Sequence, residues 1–580
     1  MITPPRAPAR RILLALLSGF LAYLAFPPLG WHLLAWVTLW PLLVAVRGAG
    51  WRLAFVCGLL RGMLFYALTA PWVYGILRAH GDLSPPEAGG VMLLLVAYLG
   101  LYQAVFAAGL SWIGRRSHGW ACFAAPFLWV AFEFALVRVP DVNLPWNLLG
   151  YAAGEPLAVA QVASLTGVYG LSFLAAAFSA LLARLPDDRS ETPCPVSSTA
   201  LFFAACALLP GALLAGYLWS PQAPARYRAE LVQLNFPQSP QYGANWFEEN
   251  AASLDETERI SIEAGAGTRG AKHGTRLIIW PEVPAPFTLQ DARFAERAAR
   301  IAQQGGAYFL VGVIEFRGPA GGATAPQGAD TGNSRGLTPR NSVTLLSPLG
   351  QPLYTYDKVH LVPFGEYVPW RDWLTWAGPL VAQVGGFEPG SLRSTGHLEG
   401  GEFATLICFE AAFPGEVRRF VADPDCPDTC QGAGLLINIS NDGWFGPGSA
   451  AREQHLRMAR MRAIENRRWL LRATNNGRTV AIDPYGRIVA RLDPDTRGVL
   501  HAPYDFRTDR TIYTSFGDWF AWLCVAASGV SFLCARRGAG LHWRTEMRDG
   551  LRQEVRRFGR FTMSASQEVR KSGSKEVREG

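Results

Sequence analysis

The sequence predicts a two-part protein: a membrane α-helical bundle of eight transmembrane helices, with a water-compatible α/β domain carried between the seventh and the eighth. Three observations predict this. Of 580 residues, 50% are hydrophobic and only 17% are charged, whereas a soluble domain carries about 25% charge. A lipid-spanning helix needs roughly 20 apolar residues, and candidate runs lie at 12–29, 31–46, 53–76, 91–113, 119–137, 156–184, 199–219 and 517–535. Between the last two runs, short β-like segments alternate with helical ones, the pattern of an α/β domain.

The first span follows Arg6, Arg10 and Arg11. No small-residue cleavage site comes after it and "FPPLGW" leads straight into the second span, so it is read as retained and not as a signal peptide. With a cytoplasmic N-terminus (1–11), the inside flanks carry Arg47, Arg52, Arg115, Arg116, Arg184, Arg189, Arg536 and Arg537. The short outside loops carry chiefly Arg78 and Arg138. The positive-inside rule therefore predicts seven crossings over 12–219, residues 220–516 outside the cytoplasm, an eighth crossing over 517–535 and a cytoplasmic tail over 536–580. The net charge of +8 follows these flanks rather than a phosphate-binding face, so no nucleic acid is expected.

Within residues 228–505, "AELVQLNF", "RLIIWPE", "YFLVGVIEF", "NSVTLLSP", "FATLICFE" and "AGLLINISND" read as strands. "WFEENAASLDETERISIEAG", "DARFAERAARIAQQGG" and "EQHLRMARMRAIENRRWLLRAT" have helical spacing. The stretch 318–341, rich in Gly, Pro and Thr, reads as a loop, and 365–395 is apolar enough to dip into a membrane surface. Nine Cys are too scattered for a disulfide framework. Cys426 and Cys430 are spaced to close a small disulfide or to stay reduced, which leaves Cys408 unpaired in an oxidising compartment.

Three strand ends of this domain each deliver one ionisable group: Glu282 in "IIWPEVPAPF", Lys358 in "YTYDKVHLVPFGEYVPW" and Cys408 in "TLICFEAAFP". A thiol needs a base to become a nucleophile, and a carboxylate in a dry site can supply one. An ammonium beside it favours the thiolate and can stabilise the oxyanion of a carbonyl under attack. No Gly-rich phosphate loop and no metal-spaced His/Cys cluster stands in the sequence, so neither metal nor cofactor is expected.

The flanking words add a resemblance. With "LINISNDGWFG" and "RAIENRRWLLRATNNG", the domain resembles the nitrilase (carbon–nitrogen hydrolase) superfamily, which implies an α/β αββα sandwich. The resemblance assigns Glu282 as general base, Lys358 as cationic stabiliser and Cys408 as nucleophile. "LPWNLLGYAAGEPLAVAQVASLTGVYGLSFL" and "HLVPFGEYVPW" further resemble the apolipoprotein N-acyltransferase family. That resemblance implies a multi-pass protein of the bacterial inner membrane whose catalytic domain faces the periplasm. Its thiolate would take an acyl chain from the sn-1 ester of a phospholipid, typically phosphatidylethanolamine. The resulting thioester would pass the chain to the α-amino group of an apolipoprotein's N-terminal S-diacylglyceryl-cysteine. Glu366 matches a carboxylate beside the triad, and Glu410 one that orients Lys358 or neighbouring backbone. Trp444 is a candidate for the lipid path. Phe409 stands where family members often carry Tyr, and either Tyr242 or Trp246 matches a family Trp. His360 and His455 are not needed, since Glu and Lys already supply base and cation.

Arg61 and Glu133 lie inside spans and must be satisfied within the bundle; Glu133 is read as structural or as shaping lipid entry. Two other functions are set against the leading one. A membrane-anchored amidase would need one span for anchoring, not seven. A transporter or receptor that only binds ligand would have no use for all three of Glu282, Lys358 and Cys408.

Overall fold

A computed structural model describes residues 7–81, 83–115, 118–138, 143–184, 221–239, 242–267, 276–318, 337–367, 386–391, 393–422 and 432–535. The span expected at 199–219, Cys426 and Cys430, most of the 318–341 loop, residues 368–385 of the 365–395 stretch and the 536–580 tail lie outside them.

Four helices are long and apolar enough to cross a membrane: Pro8–Ala25, Trp51–Thr69, Pro85–Ile113 and Trp120–Arg138. The remaining described spans depart from expectation, mostly at Pro and Gly. The 31–46 run forms a 3₁₀ turn, His32–Trp36, and then a short helix, Trp40–Val46, with Pro41 in its first turn. The 53–76 run stops at Thr69, and Pro71 opens a separate helix, Pro71–Ala79, because a residue before proline is driven out of helical geometry. The 156–184 run is bent by 117° between Leu157–Thr166 and Val168–Arg184. Gly167 makes the corner at φ +67°, a conformation open to glycine. Trp519–Ala535 is a shorter apolar helix. The described residues therefore hold four candidate crossings, or five if the bent pair is one. Arg61 is satisfied as its burial demands, donating to Gln103 Oε1 (2.5 Å) and Ser18 Oγ (3.3 Å).

Among the described residues the α/β domain has twelve strands: β1 (Tyr227–Gln233), β2 (Leu277–Ile279), β3 (Tyr308–Arg317), β4 (Thr338–Leu346), β5 (Pro352–Asp357), β6 (Gly396–Leu398), β7 (Gly401–Ile407), β8 (Leu435–Ser440), β9 (Trp469–Thr474), β10 (Val480–Ile482), β11 (Ile488–Arg491) and β12 (Gly498–Tyr504). They form two six-stranded sheets, ordered β12-β1-β2-β3-β4-β5 and β11-β10-β9-β8-β7-β6. β7, β8 and β9 run parallel, and β8 and β9 are buried at every residue, as strands covered on both faces must be. The inner faces meet in one core, where Leu231, Ile279 and Leu345 of the first sheet join Leu406, Ile437 and Leu471 of the second. Helices Ala251–Gly267 and Ala292–Gly305 cover the first sheet. Pro414–Ala422 and Ala450–Asn466 cover the second. The arrangement is an αββα sandwich.

One element differs in kind. The helical spacing of 453–474 predicts a single helix, but the helix ends at Asn466, Arg467 turns left-handed (φ +53°) and Trp469–Thr474 becomes β9. A central strand between β8 and β10 demands an apolar run on both faces, and that demand overrides local helical preference.

The Ala450–Asn466 helix lies between sandwich and bundle. Leu456, Ala459 and Ala463 face the sheet core, while Met458, Met461 and Ile464 enter the apolar cluster of the bundle. Polar ties fix it there. Gln454 accepts from Trp146 Nε1 (2.6 Å) and donates to Thr69 O (3.0 Å). Glu465 accepts from Val168 N (2.9 Å) and pairs with Arg462 (2.8 Å), both side chains fully buried. Removing one partner of such a pair strands a buried charge. Glu465→Ala should therefore destabilise the fold by about 3–5 kcal/mol, whereas Glu263→Ala, which breaks an exposed pair with Arg259, should cost under about 1 kcal/mol. Denaturation of the purified protein measures both.

Candidate active site

Glu282, Lys358 and Cys408 meet at the seam between the two sheets. Glu282 follows β2 by three residues, and Lys358 and Cys408 directly follow β5 and β7. Glu282 and Lys358 thus come from the first sheet and Cys408 from the second. Lys358 is buried, with Nζ 3.3 Å from Glu282 Oε1 and 2.9 Å from Glu366 Oε1. Burial opposes its charge, but the carboxylates of Glu366 and Glu282 outweigh it and raise the ammonium pKa above the usual lysine value. Asn341 of β4 ties the two carboxylates together, its Nδ2 donating to Glu282 Oε1 and to Glu366 Oε1, each at 2.8 Å. The other oxygen of each acid is held by backbone: Asn441 N donates to Glu282 Oε2 (2.9 Å) and Val362 N to Glu366 Oε2 (2.8 Å). The Glu282 segment sits so close to β3 that a Cβ on Gly312 would lie 2.6 Å from Pro281 O. Only glycine allows that approach.

Cys408 is the first residue of a 3₁₀ turn, Cys408–Ala412, and has a left-handed backbone (φ +51°). For a residue with a Cβ this conformation is strained and persists only where its surroundings impose it. The thiol is free and half-buried. Burial pushes its pKa well up and the Glu282 carboxylate adds to the rise, while Lys358 and the Ser440 hydroxyl pull the other way. At rest it is a thiol, and forming the thiolate requires transfer of its proton.

Glu410 locks the two sheets together at this point. It is buried and accepts four hydrogen bonds: Oε2 from Ile407 N (2.8 Å), and Oε1 from Tyr356 Oη (2.7 Å), Val359 N (2.8 Å) and His360 N (3.1 Å). The residue before Cys408 and the two after Lys358 are thus fixed on one carboxyl group. The next turn residues face the membrane part, for Phe409, Ala412 and Phe413 belong to the apolar cluster of the bundle. Phe409 stacks on Trp146, with ring centroids 6.4 Å apart.

The other sequence candidates fall nearby or apart. Trp444 is partly exposed and packs on His80 (centroids 4.7 Å), joining the 3₁₀ turn Asp442–Phe445 to the Pro71–Ala79 helix. Trp246 is buried among Phe236 and Phe287, whereas the Tyr242 hydroxyl donates to Pro284 O (3.0 Å), two residues past Glu282. His360 packs on Phe413 and is held by burial at a pKa of about 4. His455 meets the Cys408 carbonyl oxygen (3.1 Å), not the thiol. Glu133 accepts from Trp129 Nε1 (2.9 Å) and Leu149 N (2.8 Å) inside the bundle. Sequence reasoning did not single out Asn341, Asn441 or Ser440. A lone Asn or Ser carries no signal of its own, although Asn341 stands beside Lys358 and Ser440 stands level with Cys408 in their sheets.

Known proteins match along most of the chain. The family model of the apolipoprotein N-acyltransferase N-terminal domain matches residues 18–181, and the carbon–nitrogen hydrolase model matches residues 228–512. The apolipoprotein N-acyltransferase of Geobacter metallireducens is 34% identical over 544 residues, covering 92% of this chain and 97% of that protein. The apolipoprotein N-acyltransferase of Bradyrhizobium diazoefficiens is 33% identical, covering 92% of this chain and 96% of its own. Among solved structures, an amidase from Nesterenkonia sp. aligns over 50% of this chain and 95% of its own, at 19% identity and a TM-score of 0.32. With relatives above 30% identity over nine-tenths of its length and both family models in order, the chain belongs to the apolipoprotein N-acyltransferase family and is an N-acyltransferase carrying a nitrilase-like domain.

Proposed function

We propose that the protein moves a fatty acyl chain from the sn-1 ester of a phospholipid, phosphatidylethanolamine above all, to the α-amino group of an apolipoprotein's S-diacylglyceryl-cysteine. The observation that carries this reading is the position of Cys408. It stands beside Glu282 and Lys358, in a turn whose next residues pack into the apolar cluster of the helical bundle. A water-soluble amide would need no such wall; an acyl chain does.

In the proposed first step Glu282 takes the thiol proton and the sulfur attacks the ester carbonyl. Lys358 Nζ stabilises the oxyanion. The carbon–oxygen bond breaks, the lysophospholipid oxygen takes the proton from Glu282, and the thioester remains on Cys408. In the second step the free amine attacks the thioester, Glu282 accepts its proton, and the thiolate leaves and is reprotonated. Glu366 shares the ammonium with Glu282 and so keeps Lys358 aimed between them. Glu410 supports the backbone on both sides, and Trp444 lines the approach from the membrane. Exclusion of water at the apolar wall favours amine over hydrolysis.

The reading extends to topology. Five candidate crossings, the bent pair counted as one, together with the two shorter apolar helices and 199–219, make eight. The arginine distribution supports a topology with residues 1–11 and 536–580 in the cytoplasm and 220–516 in the periplasm of a bacterial inner membrane.

Three outcomes test the proposal. Incubated with phosphatidylethanolamine vesicles, the protein should gain one fatty acyl mass on the Cys408 peptide and transfer it to a diacylglyceryl-cysteine peptide, while Cys408→Ala does neither. Amide hydrolysis without acyl uptake from lipid would favour an amidase instead. Glu282→Gln should slow acylation about 10²–10⁴-fold. Because it removes a carboxylate that raises the thiol pKa, iodoacetamide labelling of Cys408 should reach half-maximal rate at a lower pH than in wild type. Glu410→Gln turns one acceptor into a donor facing backbone N–H groups, and should slow acylation about 10²-fold by misplacing the reacting groups, as measured by mass of the Cys408 peptide against time.

A further inference from the structure

Behind the nucleophile lies a closed set of buried polar groups that the chemistry above does not use. Asp442, His455 and Arg472 are each 0% exposed. They come from three elements: the turn after β8, the Ala450–Asn466 helix and β9. Arg472 Nη2 lies 2.9 Å from both Asp442 oxygens and 3.1 Å from His455 Nδ1. Asp442 also accepts from Ser440 Oγ (2.8 Å). His455 Nε2 is 3.1 Å from the Cys408 carbonyl oxygen.

These contacts fix the proton positions on the imidazole. The Cys408 carbonyl oxygen only accepts, so Nε2 carries a ring proton, while Nδ1 lies between the Arg472 donor and Asp442 Oδ1 (3.4 Å). Burial and the adjacent Arg472 both disfavour a second proton, against the pull of Asp442. That Nε2–H has one partner, the carbonyl of the residue held at φ +51°. A left-handed Cys needs an outside restraint, and the His455 contact grips the carbonyl on one side as Glu410 grips Ile407 N on the other.

We propose that His455 is a positioning residue for the nucleophile: its Nε2–H, oriented by Arg472 and Asp442, holds the Cys408 carbonyl and with it the backbone turn that aims the thiol. The proposal rests on the reading of Cys408 as the acyl-carrying nucleophile. His455 neither takes the thiol proton nor meets the lipid, so its loss should lower the rate of acylation and leave lipid binding unchanged.

The test uses the full-length protein in phosphatidylethanolamine vesicles and follows the acyl adduct on Cys408 by mass. His455→Gln places an amide N–H where Nε2 stands, His455→Asn is too short to reach the carbonyl, and His455→Leu has no donor. The leucine and asparagine variants should be at least about tenfold slower at saturating lipid, with an unchanged half-saturating concentration, and the glutamine variant should return to within about threefold of wild type. Should the leucine variant not fold, the Gln/Asn pair decides alone. Glutamine as slow as asparagine, or all variants at wild-type rate, overturns the proposal. Wild type that never gains an acyl group overturns the reading of Cys408 itself, a separate result.

Discussion

A buried ammonium is the constraint from which the rest of this site follows. Lys358 is 1% exposed, and a lone cation at that depth is strongly disfavoured unless anionic partners surround it. Two carboxyl groups do so, and each is itself buried or nearly so and needs donors of its own. Asn341, Asn441 N and Val362 N supply them. The chain of requirements reaches from β2 through β4 and β5 to the turn after β8, which is why two sheets with separate strand orders must pack in one register at this seam.

The turn that begins at Cys408 obeys a second constraint of the same type. Cys408 occupies a backbone region that its side chain disfavours, and its neighbours hold it there from several directions. Glu410 collects N–H groups from both sheets, and Phe409 and Phe413 are pinned in the bundle cluster. The strain is thus borne by packing around Cys408, a residue that is itself partly buried.

Glu282, Lys358 and Cys408 were legible as candidates because each stands at or just past a strand end, and Glu366 and Glu410 because they stand inside words that resemble a known family. Asn341 and Asn441 were not, because their roles exist only once two strands from distant parts of the chain are neighbours. β9 was misread for a related reason: "RRWLLRAT" looks helical in isolation, and only its place between β8 and β10 makes it a strand. Four of the expected spans were legible as single long helices, and the continuity of the others was not. Apolar content counts residues suited to lipid, whereas Pro71 and Gly167 decide whether the backbone runs straight through them.

The Ala450–Asn466 helix joins the two halves of the protein and explains why neither is a mere appendage of the other. Its Gln454 is bonded to Trp146 and to the end of a membrane helix at Thr69, and the next residue, His455, is bonded to the Cys408 carbonyl. Two consecutive residues therefore carry the contact to the bundle and the contact to the Cys408 backbone. A helix buried on both faces and tied at both ends transmits position, not motion. The apolar wall and the thiol thus keep a fixed distance. For an N-acyltransferase this is the useful arrangement, because a hinge between the apolar bundle and the α/β domain would blur the approach of the reacting groups.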